Sequence, residues 1–199
     1  MTDRCIDLES LIHKSWGNAV KRGTVSEDCS NKSLRQTHKD RAIAWIDCMG
    51  EGFQEYYSNE YQRVFWKNNE DNRRDFDLNE LLFDVSVCQI GWVESIVRGR
   101  RLPYISNCLW QVESEFDNRD SREITKDFSK LVMGRAERQM FVSTYQGVRQ
   151  KQVMSICSTI ASCCNGNLYL CFVEHPETWS NGPKSPSLFK WEDNVWRPY

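Results

Sequence analysis

The sequence predicts an α/β layered domain built on a mixed central sheet, and three observations carry that prediction. Some stretches repeat apolar residues at steps of three and four, the stripe of an amphipathic helix. Others run apolar and β-branched for six to eight residues between turn signals, the signature of strands. From residue 38 onward the two kinds follow one another as helix, strand, strand, helix, strand, helix, strand, an order that gives a layered domain with a mixed sheet.

Residues 1–36 are weakly patterned and rich in Ser, Asn, Lys and Arg, and are expected to form an arm. Leu8, Leu11 and Ile12 allow one short helix there, and Gly23 to Lys32 has the composition of a loop. The domain proper is placed at residues 37–199. Ala42, Ile46, Met49, Phe53 and Tyr56 mark its first helix, which Gly50 and Gly52 are expected to interrupt. Asn68 to Arg74 is a polar connection, and a short extra strand is allowed near Phe76–Leu78. Leu81 to Cys88 then forms a strand with Asp84 alone among apolar neighbours.

A basic turn follows at Arg98–Arg101, closed to helix by Pro103, and a second strand runs from Tyr104 to Phe116. Asp120, with Glu123 three residues on, is a capping box that opens a helix whose apolar face is Ile124, Phe128, Leu131 and Val132 and whose end lies near Gly134. Gln139 to Tyr145 is strand-like, and Val153, Ile156, Cys157, Ile160, Ala161 and Cys164 trace a further helix. Asn165-Gly166-Asn167 turns the chain into Leu168–Val173, a continuous apolar strand of the buried kind. Trp179, Trp191 and Trp196 lie in a C-terminal extension expected to hold an edge hairpin.

The 199 residues are enough for one real core, and 40% hydrophobic with 27% charged residues excludes wholesale disorder. Twenty-six bases against 28 acids leave a net charge of −2, which argues against coating nucleic acid through bulk charge. Nine cysteines, at 5, 29, 48, 88, 108, 157, 163, 164 and 171, form no C-x-x-C and are read mostly as buried free thiols. There is no N-terminal apolar run and no apolar stretch of 18 residues, so the expectation is a soluble cytoplasmic protein without membrane partners. Phosphate-cradling glycine motifs are absent, and His13, His38 and His175 have no ligand spacing.

The acids carry the functional argument. Along Leu109–Phe116, period-two alternation sends Val112, Ser114 and Phe116 to one face and Glu113 and Glu115 to the other, roughly 7 Å apart. If this strand pairs with the one before it, Asp84 joins them in an oxygen-lined pocket suited to Mg²⁺ or Mn²⁺. Lys130 lies near the edge of the following helix's buried stripe, whereas Lys126 is almost opposite it. Glu80 and Glu94 are outer candidates.

The pattern Asp84 … Glu113-Ser-Glu115, followed by the helix Asp127-Phe-Ser-Lys130-Leu, resembles the PD-(D/E)XK superfamily of restriction-endonuclease-like nucleases over residues 38–175. Phe83 stands where that motif has proline, and Glu115 where it has lysine. The resemblance implies an αβββαβ core and metal-dependent hydrolysis of phosphodiester bonds in DNA, in restriction, repair or mobile-element defence. It implies that Asp84 and Glu113 hold the metal, and that Glu115 acts as a further ligand or as the base for the attacking water. It also implies that Lys130 contacts phosphate. Arg100, Arg101, Arg119 and Arg122 are expected to flank the pocket and bind DNA phosphates. A homodimer would suit cleavage of both strands. A non-catalytic module that keeps the fold to bind a protein or nucleic acid is the competing expectation, motivated by the missing motif lysine.

Overall fold

Among the described residues, seven strands form one sheet in the simple order β1 to β7, and helices cover both of its faces. The computed structural model describes residues 6–25, 33–96, 99–116, 121–145 and 148–199. Arg98, Arg119, Asp120, Cys5 and Cys29 lie outside the described residues, as does the part of the expected Gly23–Lys32 loop beyond Val25. The helices are α1 (Leu8–Val25), α2 (Leu34–Tyr57), the single turn α3 (Arg73–Phe76), α4 (Ser121–Met133) and α5 (Val148–Ala161). The strands are β1 (Gln62–Phe65), β2 (Val85–Glu94), β3 (Arg101–Glu115), β4 (Arg138–Thr144), β5 (Asn167–Val173), β6 (Ser187–Glu192) and β7 (Val195–Pro198). Pairing is antiparallel from β1 to β3, parallel from β3 to β5 and antiparallel again to β7, so the sheet is mixed.

Alternation along the strands sorts the core into two layers. Trp110, Val112, Met140, Val142, Tyr169, Cys171 and Val173 face α1 and α2, against Trp45, Met49 and Phe53. Phe141, Leu168, Leu170 and Phe172 face α4 and α5, against Ile124, Phe128, Leu131, Val153 and Cys157. Among the described residues, no helix is long and apolar enough to cross a membrane.

Four expectations need correction. The arm contains an 18-residue helix that belongs to the core: Leu8, Leu11, Ile12, Ser15, Trp16, Ala19 and Gly23 form its buried face along α2. Trp16 meets Trp45 and Trp179 edge-on, and its indole N–H donates to the Lys184 carbonyl at 3.1 Å. Secondly, Gly50 and Gly52 do not break α2. A Cβ at Gly50 would sit 2.4 Å from the Trp66 ring, and one at Gly52 would sit 2.6 Å from Ser15 Oγ, so both glycines permit close approach within a continuous helix. Thirdly, the extra strand is Gln62–Phe65, not Phe76–Leu78, where α3 ends in a left-handed Asp77. Lastly, Trp179 packs in the core and only Trp191 and Trp196 belong to the edge hairpin. These two are cross-strand partners joined by the two-residue turn Asp193-Asn194, with both φ angles positive as a type I′ turn requires.

Cysteine burial follows the reading for most thiols. Cys48, Cys88, Cys157 and Cys171 are buried, Cys108 and Cys164 half-buried, and Cys163 exposed, all of them free.

Candidate functional site

The β2–β3 hairpin places the acids. The expected strand Leu81–Cys88 starts only at Val85, whose ladder partner is Val112, so Asp84 lies one residue before β2, next to the end of β3. Asp84 Oδ2 accepts the Ser114 N–H at 2.8 Å, which fixes its carboxylate against the end of β3. On the opposite face Ser114 Oγ accepts from the Trp45 indole, so alternation leaves Glu113 and Glu115 on the α4 side, as expected.

Helix α4 closes the site from above. Ile124, Phe128 and Leu131 pack down into the core, and Asp127 and Lys130 stand beside this stripe, facing the sheet. Lys130 Nζ ion-pairs with Glu113 Oε1 at 2.5 Å and with Asp127 Oδ1 at 2.9 Å. One helical turn earlier, Lys126 ion-pairs with Glu123. The structure thus brings Asp84, Glu113 and Lys130 together and adds Asp127, which stands in the same helix motif as Lys130. Glu115 meets a different set. One carboxylate oxygen each from Glu115, Glu123 and Asp127 lie within 4.8 Å of one another, with Asp127 buried and the other two half-buried, an arrangement that could hold a metal ion. Glu123 to Asp127 is a four-residue step and Asp127 to Lys130 a three-residue step, spacings that share one helix face and were open to being read.

The electrostatics of this cluster are unfavourable as they stand. Glu113 is only 3% exposed, and its Oε2 has no hydrogen-bond partner. Burial first, and the adjacent Asp84 charge second, push its carboxyl up to about 8, although Lys130 opposes them. Burial also pushes Asp84 up to about 6 against the Ser114 N–H and the Lys130 charge. Burial works to lower the Lys130 ammonium, but Glu113 and Asp127 outweigh it and hold its pKa raised. Ser143, the ladder partner of Glu115 on β4, likewise leaves a buried hydroxyl without a partner. An orphaned buried carboxylate oxygen among raised carboxyls fits a hard divalent cation, which would supply the missing ligand contact and favour the charged forms.

The expected basic surround is only partly present. The β2–β3 ladder runs ten pairs from Val85↔Val112 to Glu94↔Arg101, which puts roughly 30 Å of strand between the acids and the hairpin tip. Arg100 and Arg101 are therefore at the wrong end to flank the pocket, and Glu94, paired with Arg101, is removed from it for the same reason. Arg101 instead lies over the Trp92 ring at 5.1 Å. Glu80 is exposed in the loop before β2. Arg122 opens α4 beside Glu123, at the acid end. Because β3, β4 and β5 run parallel, α4 and α5 both begin at that same sheet edge, which also brings Arg149 and Lys151 there.

Comparison with known proteins finds no matching family model, no matching curated protein and no matching solved structure.

Proposed function

We propose that this protein is a metal-dependent endonuclease hydrolysing phosphodiester bonds in DNA. The observation that carries the proposal is Glu113 Oε2, a buried carboxylate oxygen without a partner, beside Asp84 and under Lys130. Apart from the short turns between β1 and β2, α3 among them, the element order α2, β1, β2, β3, α4, β4 follows αβββαβ, which supports the resemblance drawn from the motif residues. Asp84 and Glu113 would hold Mg²⁺ or Mn²⁺, with Glu115 next along the same strand face. When bound, the metal lowers the pKa of a water and offsets charge building on the phosphate.

The chain's own residues do the rest. Ser114 N–H orients Asp84, and β3 presents Glu113 toward α4. Glu115, in the motif's lysine position, offers a carboxylate that can take a proton from water. Lys130 supplies an ammonium from the facing helix, the positive group that the strand itself lacks. The N-termini of α4 and α5 share this edge, where the helix dipoles favour phosphate oxygens. Arg122, Arg149 and Lys151 add positive charge beside them.

A second reading has one specific observation in its favour. Lys130 already bridges Glu113 and Asp127, as in a closed structural ion pair, which suits a non-catalytic module with the same fold. Incubation of the purified protein with DNA and Mg²⁺ or Mn²⁺ separates the two. Cleavage that falls about a thousandfold in Glu113→Ala is the expected result. Absence of cleavage with either metal, together with no Mn²⁺ binding that Asp84→Ala abolishes, would favour the module.

A further inference from the structure

Away from the acid site, Cys88 on β2 and Cys108 on β3 are direct ladder partners, and their sulfurs lie 4.0 Å apart. We infer that they form a reversible cross-strand disulfide, a redox modification site whose oxidant is a small peroxide.

The backbone geometry permits the bond. Residues directly opposite in an antiparallel ladder have Cα atoms about 4.5–5.5 Å apart, inside the span a disulfide tolerates. The sulfurs must close by about 2 Å, which side-chain rotation toward each other supplies. The ladder register shifts between Val87 and Cys88 and again between Gln89 and Ile90, so the pair sits between two irregularities that give local slack.

The two thiols differ in a way that orders the chemistry. Cys88 is buried beside Phe65 and Ile90, whereas Cys108 is half-buried and reachable by a small molecule. The Cys88 S–H donates to Cys108 Sγ. That hydrogen bond lowers the Cys108 pKa against the effect of burial, and the same contact followed by burial raises that of Cys88. Cys108 sulfur attacks one peroxide oxygen and the O–O bond breaks. One oxygen stays on Cys108 as the sulfenic acid, and the other leaves as water with the proton from the Cys108 thiol. Cys88 sulfur then attacks Cys108 sulfur, the S–O bond breaks, and the hydroxyl departs as a second water with the Cys88 proton. The dithiol is oxidised by two electrons and hydrogen peroxide is reduced to two waters.

Treating the reduced full-length protein with equimolar hydrogen peroxide, then alkylating and mapping peptides by mass spectrometry, tests the inference. A cross-linked peptide pair holding Cys88 and Cys108 should appear about tenfold faster than buried Cys171 loses its thiol, and dithiothreitol should reverse it. In Cys88→Ser, Cys108 should stop at the sulfenic acid and be trapped by dimedone. In Cys108→Ser, Cys88 should keep its thiol. Further oxidation of Cys108 while Cys88 stays reduced, or a cross-link that joins Cys108 to another cysteine, would overturn the inference. The wild-type map decides this even if a serine variant folds poorly.

Discussion

The two ends of the β2–β3 hairpin are made of the same two strands and meet opposite fates. At one end β4 pairs with β3, α4 lies across the face, and Asp84, Glu113 and Asp127 are held in a covered layer with Lys130. At the other, beyond Gln89 and Asn107, neither β1 nor β4 continues, and the strands project as a two-stranded ribbon with Val93, Tyr104 and Ile105 exposed. The contrast shows where the fold tolerates disfavoured chemistry. Asp84 and Glu113, which would cost little on the open ribbon, are placed instead where burial raises their pKa.

The same substitution made at both ends should have very unequal effects. A Cβ at Gly134 would lie 2.1 Å from Gln111 Oε1, and one at Gly91 would lie 2.4 Å from the Tyr104 ring, so the initial clashes are alike. Gln111 is 6% exposed and bonded to Gln139, whereas Tyr104 is 49% exposed and can swing into solvent. Gly134→Ala should therefore lose about 2 kcal/mol in urea denaturation and Gly91→Ala no more than about 0.5 kcal/mol. Equal losses would show that the ribbon is as tightly constrained as the covered end.

A smaller effect separates the ends by pH. In the metal-free protein Glu113 is raised from the ordinary 4.5 to about 8 by burial and by Asp84, so the folded chain retains a proton that the unfolded chain releases. Stability should fall as pH rises through about 5 to 8, and Glu113→Gln should flatten that fall, gaining on the order of 1 kcal/mol at pH 8. Denaturation curves at several pH values would check this, and parallel profiles for the two proteins would count against a buried titrating Glu113. The smallest effect belongs to the ribbon tip. Arg101→Ala removes an exposed cation–π contact with Trp92 and should cost about 0.5 kcal/mol, and the nuclease proposal expects any DNA cleavage to stay within about twofold of wild type. A large loss of cleavage would return the ribbon to the substrate-binding surface.

Much of the sheet was legible because its strands are long and patterned. Leu168–Val173 has no polar interruption, and the alternation through Val112, Glu113, Ser114 and Glu115 assigned faces correctly. What escaped notice was short or disguised. Strand β1 has only four residues, Gln62 to Phe65, too few to show a period. Helix α1 keeps a regular buried stripe, but Ser15, Ala19 and Gly23 stand in it where large apolar residues would advertise a core face. The acid site is half legible: alternation and the lone acid point to Asp84 and Glu113, and the family resemblance to Lys130. The separation of Glu115 toward Glu123 and Asp127 depends on how α4 lies over the sheet, which no local spacing encodes. Arg100 and Arg101 lie far from the acids because proximity in sequence to Glu113 is not proximity in space along a ten-pair hairpin.

The seating of α1 also bears on how the chain folds as it is made. Trp16 is enclosed by Trp179 and bonded to the Lys184 carbonyl, 168 residues later. At ordinary ribosomal speeds, about 5–20 residues per second, the helix waits on the order of 10 to 30 seconds for those partners to emerge. During that interval its apolar stripe has α2 as an early partner but lacks its lid, so chaperone engagement of the nascent chain should concentrate on residues 8–19.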